Sequence, residues 1–185
     1  MKKLLTNTLL FFWEITKIVI IALLIVIPIR YFIFQPFFVN GQSMEPNFTD
    51  GDYLIIDEIS YRFSPPQRGE VIVFRYPNDP SQRYIKRIIG LPGETIVIKD
   101  EQVGVINESY SWYLNESDYL GNISQTPGEI MITLGENEYF VMGDNRDASY
   151  DSRRWGALEE DKIIGRVVFR AWPVNSLAKI ELPDY

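Results

Sequence analysis

The sequence predicts a mainly β protein that follows one N-terminal membrane helix, on two observations. Residues 1–34 contain a long apolar run with a basic start, whereas the rest carries short runs rich in Val, Ile, Phe and Tyr between Gly, Pro, Asn and Asp. Such runs, bounded by turn residues, are typical of an all-β domain. Hydrophobic residues are 46% and aromatic residues 14% of the 185 residues, which is enough for a packed core.

The apolar run of residues 15–34 has the length of a membrane-spanning helix. As a helix, about 20 residues reach about 30 Å, the thickness of the hydrocarbon core of a bilayer. Lys17 and Arg30 lie near its two ends, where long side chains reach the headgroups. Lys2 and Lys3 favour a cytoplasmic N-terminus.

Two alternatives to a retained anchor are a cleavable export signal and a buried core helix. An export signal needs a small-x-small cleavage site, but residues 31–40 are bulky and aromatic. The length and the basic start disfavour a core helix. The predicted parts are a cytoplasmic N-terminus (residues 1–14), a single transmembrane anchor (15–34) and an extracytoplasmic domain (35–185).

Within residues 35–185 the β-type runs are short and interrupted by turn residues. The strand candidates are residues 37–40, 53–58, 70–76, 84–89, 94–99, 129–134, 139–142 and 162–172. Residues of about 100–128, the 100–128 segment, are polar, rich in Asn, Ser and Tyr, and poor in aliphatic runs. We expect this segment to be an inserted hairpin or loop rather than core.

Composition excludes several classes of function. The net charge of −7 disfavours nucleic acid as a partner, because phosphate binding needs a basic face. The chain has no cysteine and no histidine, so we expect no disulfide, no metal site and no cofactor. An acyl-transfer enzyme without histidine must activate its nucleophile differently, and a serine paired with a neutral lysine is the main alternative.

Ser43 is a candidate nucleophile in the loop motif of residues 41–46 (GQSMEP). A serine in Gly-x-Ser is more often a turn residue that hydrogen-bonds its own backbone. Here Gly41 lets the backbone pass close to a ligand, and the predicted anchor ends only a few residues before Ser43. The hydroxyl must therefore stay near the membrane surface.

Lys86 is the candidate base, within residues 84–89 (YIKRII). On a strand, Lys86 shares one face with Tyr84 and Ile88 while Arg87 lies on the other, so periodicity does not decide which basic residue points inward. A charge that protects an edge strand is the alternative. Chemistry favours the lysine, because arginine does not deprotonate and apolar burial lowers a lysine pKa from about 10.4 toward neutrality.

Residues 143–156 are dense in Asp, Arg, Asn and Ser. A solvated loop whose charges pair among themselves is one interpretation. However, the segment follows the apolar run 139–142 and so begins at the core. We expect its acids and arginines to lock the loop, so that Ser149 hydrogen-bonds Lys86 and orients it toward Ser43.

Together these segments resemble the type I signal peptidases of bacteria. The boxes appear as residues 43–46 (SMEP) with Gly51 and Asp52, residues 68–74 (RGEVIVF), residues 84–94 (YIKRIIGLPGE) and residues 143–156 (GDNRDASYDSRRWG). With the anchor, the resemblance runs to about Trp172, and the single anchor resembles the Gram-positive-type members. The 100–128 segment falls where that family carries a variable insertion.

The resemblance implies a β-rich catalytic domain and a role for each matched residue. Ser43 would be the nucleophile and Lys86 the general base. Ser149 would orient the lysine, and the loop would be held by Asp144, Asp151 and Arg153. The backbone N–H of Ser43 would help to form the oxyanion hole, and the second donor falls at Gly41, where some members carry a serine. Shallow apolar pockets would be lined by Phe37, Val39, Met44, Phe48, Tyr84 and Ile85.

The implied activity is that of a membrane-bound serine endopeptidase that removes signal peptides from exported preproteins after small residues at −1 and −3. Its partners would be those signal peptides and the lipid bilayer of the cell membrane, and we expect a monomer. Three rivals exist: a self-cleaving repressor of the DNA-damage response, which would need a DNA-binding domain, an anchored β-domain that only binds exported peptides, and an inactive paralogue.

Overall fold

The computed structural model describes residues 2–32, 34–107, 109–121, 125–183 and 185. Within them the helices are α1 (Lys2–Phe32), α2 (Ser117–Leu120) and α3 (Ser152–Trp155), with 3-10 turns at Ser60–Arg62, Glu160–Lys162 and Val174–Ser176. The strands are β1 (Phe34–Phe38), β2 (Tyr53–Asp57), β3 (Val71–Tyr76), β4 (Asp79–Gly90), β5 (Thr95–Lys99), β6 (Gln102–Ile106), β7 (Ser111–Tyr113), β8 (Ile130–Thr133), β9 (Glu138–Met142), β10 (Leu158–Glu159), β11 (Ile163–Trp172) and β12 (Ala178–Lys179).

Helix α1 includes the predicted anchor up to residue 32, whereas residue 33 lies outside the described residues. The side chains of residues 10–26 are exposed, including Phe11, Trp13 and Leu24. Across the ranges given above, no helix combines the length and the apolar character that crossing a bilayer requires.

An eight-stranded antiparallel sheet carries the candidate catalytic segments. Its order is β1-β2-β11-β3-β4-β9-β10, and β12 pairs with β11. The mainly β fold is therefore confirmed. Strand β4 pairs with β3 and β9, so Lys86 lies in an interior strand between Ile72 on one side and the Met142 strand on the other. The alternative of an edge-strand charge is excluded.

A second sheet has four strands in the order β7-β6-β5-β8, and two of them, β6 and β7, belong to the 100–128 segment. Val103, Val105 and Leu114 are buried and pack with Ile96 and Phe140 in one core cluster. The expectation that this segment lies outside the core is wrong, although its hairpin is present. Val103 and Val105 lie two positions apart in β6, so both point to the same face of the strand, and that face is buried. The many polar residues of the segment hide this apolar face in its average composition. Residues 108 and 122–124 of the segment lie outside the described residues.

Candidate active site

The loop that carries Ser43 is fixed by the residues that follow it. Met44 and Phe48 are fully buried in the core cluster between β1, β2, β3 and β11. The loop is closed by paired backbone hydrogen bonds, since Val39 N donates to Asp52 O and Gly51 N donates to Val39 O, both at 2.9 Å. Two apolar side chains in the core thus hold a partly exposed hydroxyl at the surface of the sheet.

Lys86 reaches this loop from strand β4. Its Nζ atom lies 2.7 Å from Ser43 Oγ and donates a second hydrogen bond, of 2.8 Å, to Ile85 O. The residue is only 4% exposed. A neutral amine at this distance can accept the hydroxyl proton, which is the geometry that a general base requires.

Burial changes the protonation of Lys86. Loss of hydration lowers the pKa of its amine from 10.5 to about 8, although the carboxylates of Asp151 and Asp144 act in the opposite direction. With a pKa of about 8, roughly a quarter of the amine is neutral at pH 7.5. An unperturbed lysine would be neutral in only about one molecule in a thousand.

Arg87 is buried as deeply as Lys86, on the opposite face of β4. Its Nε and Nη2 atoms donate to Asp144 Oδ1 and Oδ2 at 2.8 and 2.7 Å, and Nη1 donates to Gly69 O at 2.9 Å. Periodicity left open which basic residue points inward, and the structure buries both. This is possible because β4 has packed neighbours on both faces.

Residues 143–153 form the predicted locked loop. Gly143 N donates to Asp151 Oδ2 at 3.0 Å, and Arg153 donates to both oxygens of Asp151, at 2.8 and 2.9 Å. Burial acts to raise the pKa of Asp151, but the hydrogen bonds and charge of Arg153 outweigh it and hold the pKa below its usual value. The loop is therefore organised around a buried carboxylate and is not a solvated loop.

Ser149 does not make the expected hydrogen bond to Lys86. Its buried Oγ makes no hydrogen bond with any of the described residues. The hydroxyl nevertheless lies near enough to Asp151 to help lower the pKa of that carboxyl. Both Ser149 Oγ and the Ser43 carbonyl oxygen lie against Gly143, where a Cβ would collide with them. Ser149 is thus packed beside the Ser43 backbone, and its orienting role stays a prediction.

The predicted second oxyanion donor is engaged elsewhere. Gly41 has a φ of +86°, and its N–H donates to Asp50 Oδ1 at 2.7 Å. This N–H therefore points away from a substrate carbonyl as long as the bond to Asp50 persists. The left-handed backbone still accounts for a glycine at this position.

A cleft of about 460 Å³ opens beside Ser43 and Lys86. Three predicted pocket residues, Phe37, Tyr84 and Ile85, line it. The other three are buried in the core beneath it and are not among its lining residues: Val39, Met44 and Phe48. Sequence reasoning missed Arg83 and Tyr150, which also line the cleft; Tyr150 lies inside a matched box, but nothing in its spacing indicates exposure to a ligand.

A second cavity lies away from the catalytic residues, and the carboxylates of the described residues are not grouped to bind a metal ion. A larger open cavity, of about 910 Å³, lies among Glu58, Tyr61 and acidic residues of β10 and the following turn, away from Ser43. Across the described part of the chain, no group of three or more carboxylates is placed to hold a metal ion.

The chain is similar to signal peptidases over most of its length. A family model described as signal peptidase, peptidase S26, matches residues 12–172. Signal peptidase I of Leptolyngbya laminosa is 35% identical over 90% of this chain and 83% of that protein. Signal peptidase IB of Staphylococcus aureus is 33% identical over 84% of this chain and 86% of that protein.

A crystal structure of signal peptidase I from Enterococcus faecalis V583 covers 56% of this chain and 97% of its own, at 32% identity and a TM-score of 0.49, a value too low to bear on the fold. The family match and the two relatives do not depend on it. The chain belongs to the signal peptidase family, peptidase S26, and is a hydrolase of the signal peptidase I type.

Proposed function

We propose that the protein is a membrane-bound serine endopeptidase that uses Ser43 and Lys86 to remove signal peptides from exported preproteins. The observation that carries this proposal is the 2.7 Å contact between Lys86 Nζ and Ser43 Oγ in a buried setting. Membership of the signal peptidase family supports the substrate class.

The reaction begins with proton transfer from Ser43 Oγ to neutral Lys86 Nζ. The oxygen attacks the scissile carbonyl, and the backbone N–H of Ser43 stabilises the resulting oxyanion. The Lys86 ammonium then donates its proton to the leaving amine, which leaves an acyl-enzyme on Ser43. Lys86, neutral again, takes a proton from water while the resulting hydroxide attacks the acyl carbonyl; the Lys86 ammonium then returns this proton to the departing Ser43 Oγ, which frees the acyl product as a carboxylic acid and restores the serine and the neutral amine.

The lining of the cleft supports specificity for small residues at −1 and −3. Phe37, Tyr84 and Ile85 form apolar walls near the nucleophile. Tyr84 stacks on Tyr76 with ring centroids 4.8 Å apart, so its ring is not free to swing away. A bulky side chain beside the scissile bond would meet these walls, whereas alanine or serine would fit.

We further propose that α1 anchors the catalytic domain on the outer side of the cell membrane, with a cytoplasmic N-terminus and a single pass. The exposed apolar side chains of residues 10–26 support this, since soluble proteins rarely expose a large contiguous apolar surface. Alkaline extraction of membranes tests it: the full chain should remain in the membrane pellet, and a chain that begins at residue 35 should be released.

The catalytic proposal is tested with the purified full chain in detergent and one preprotein. Mass spectrometry should find a single cut after a small residue with the wild type and none with Ser43→Ala or Lys86→Ala. Lys99→Ala, which removes an exposed lysine of β5, is the matched control and should cleave normally. Full cleavage by either active-site variant would refute the mechanism, and binding without cleavage by the wild type would favour the peptide-binding rival.

A further inference from the structure

Helix α2 and the residue before it belong to the 100–128 segment, yet some of their side chains are buried and two of them contact residues beside the candidate active site. Glu116 is the N-cap of this short helix, and Tyr119 and Leu120 lie within it. All three are buried. The contacts of Glu116 and Tyr119 lead to the loop that carries Ser43 and to strand β4, which carries Lys86.

Glu116 forms a buried, bidentate ion pair with the guanidinium of Arg146. Arg146 Nη2 and Nη1 donate to Glu116 Oε1 and Oε2 at 2.5 and 2.9 Å. Arg146 Nη1 also donates to Thr126 Oγ1, and its Nε donates to Gly143 O at 3.1 Å. In three of these four hydrogen bonds the acceptor belongs to the 100–128 segment, and in the fourth the acceptor is a backbone carbonyl of the 143–153 loop.

From Arg146 the path continues to the nucleophile through its neighbour Asn145. The backbone N–H of Asn145 donates to Ser43 O, and its side-chain Nδ2 donates to Gln42 O, both at 3.1 Å. Asn145, which directly precedes Arg146 of the ion pair, therefore binds two successive backbone carbonyls of the nucleophile loop. Glu116 is separated from Ser43 by only two residues of the loop.

Tyr119 provides a second contact, on the lysine side. Its carbonyl oxygen accepts a 2.7 Å hydrogen bond from Asn47 Nδ2, which also donates to Asp144 Oδ2 at 2.9 Å. Its ring lies 4.2 Å from the guanidinium carbon of Arg87, the neighbour of Lys86. The same short helix thus contacts residues beside both members of the pair.

We propose that Glu116 is a positioning residue for the reaction of Ser43 and Lys86, acting through Arg146 and Asn145. This inference rests on the proposed function. A misplacement of about 1 Å at reacting atoms costs on the order of 100-fold in rate, so a clamp on the nucleophile backbone bears directly on turnover. A buried ion pair commonly adds little net stability compared with apolar packing, so stability alone is a poor account of this one.

The test measures kcat, KM and the pH profile of the full chain with one preprotein. Glu116→Gln removes the charge but keeps the size, and Glu101→Gln, an exposed acid of the same segment, is the control. We expect Glu116→Gln to lower kcat on the order of tenfold with KM within twofold, because geometry and not binding is disturbed. The acidic limb of the pH–activity profile of this variant should also move to higher pH, because a loosened loop admits water to Lys86 and so raises the pKa of its amine.

Asn145→Ala gives a second, independent measurement if Glu116→Gln folds poorly. It removes the side-chain hydrogen bond to Gln42 O, leaves the ion pair and the backbone hydrogen bond to Ser43 O in place, and should lower kcat by a similar factor. The double variant should lose little more than either single variant, since both act on one path. Additive losses, or a wild-type kcat for either folded variant, would overturn the proposal.

The outcomes separate this inference from the proposed function. If the wild type fails to cleave while folded, the proposed function is wrong. If the wild type cleaves, Ser43→Ala does not, and Glu116→Gln keeps the wild-type kcat and pH profile, the inference about Glu116 alone is wrong. A lower melting temperature with unchanged kcat per folded molecule would reduce Glu116 to a structural role.

Discussion

Arg87 binds both carboxylate oxygens of Asp144, at 2.8 and 2.7 Å, immediately beside the amine-bearing residue Lys86. An unpaired carboxylate near Lys86 would favour the ammonium form and remove the general base. Because the guanidinium neutralises Asp144, the carboxylate organises the loop without holding Lys86 fully charged. Arg87 thus stays charged and pairs with Asp144, whereas the neighbouring Lys86 has a pKa lowered to about 8.

Arg87→Met should therefore destabilise the fold and weaken the base. Removing one partner of a buried pair leaves an uncompensated charge and costs about 3–5 kcal/mol. Urea denaturation should report that loss, and the pH at half-maximal kcat/KM should rise. Arg154→Met removes an exposed arginine of α3 and should leave both measurements unchanged.

The double variant Arg87→Met/Asp144→Leu sharpens this prediction. It removes both charges, so much of the lost stability should return. A double variant as unstable as Arg87→Met would show that the pair is not the cause.

Prediction from sequence succeeded where alternation and turn residues were strong, as in β3, β9 and β11. It failed to place the 100–128 segment in the core, because the buried Val103 and Val105 of β6 and Leu114 after β7 are diluted by polar neighbours. The Ser43–Lys86 pairing was expected from the absence of histidine and from the matched boxes and not from spacing, because the two residues lie 43 positions apart. The Glu116–Arg146 pair carries no sequence signal, since it joins two loop segments whose proximity arises only from the packing of the second sheet on the first.

The pH dependence of activity follows from the lowered pKa of Lys86. With a pKa of about 8, kcat/KM should rise with pH to half its maximum near pH 8 and then level off, because only the neutral amine accepts the serine proton. A steady-state pH series on one preprotein measures this. Half-maximal activity near pH 10 would mean that the amine is hydrated and that the burial argument is wrong.

The same residue should cost stability at neutral pH. The amine titrates near pH 8 in the folded chain and near 10.5 when unfolded, so between these values the unfolded state binds more protons and stability rises with pH. Lys86→Met should therefore raise the melting temperature relative to the wild type at pH 7, and less so at pH 10. Lys99→Met should change it little at either pH, and an equal gain at both pH values for Lys86→Met would contradict the linkage.

Gly143→Ala should impair the active site through backbone contact. A Cβ at this position would collide with the Ser43 carbonyl oxygen and with Ser149 Oγ, so the nucleophile loop or the 143–153 loop must move. Acylation of Ser43 by a mechanism-based inhibitor should slow on the order of 100-fold. In Gly135→Ala the added Cβ meets only the flexible Glu138 side chain, so this variant should react normally.

Tyr84→Ala should broaden specificity and weaken the base together. The Tyr84 ring lines the cleft and lies with its centroid 5.7 Å from Lys86 Nζ, so its removal both widens the cleft and admits water to the amine. Hydration raises the pKa of Lys86, because it removes the desolvation that lowered it. We expect cleavage of preproteins with a larger residue at −1, measured by mass spectrometry, and an acidic limb displaced to higher pH. Tyr84→Phe keeps the ring and should preserve both properties, whereas a Tyr84→Ala enzyme that gained the broader specificity with an unmoved limb would show that this ring does not shield the amine.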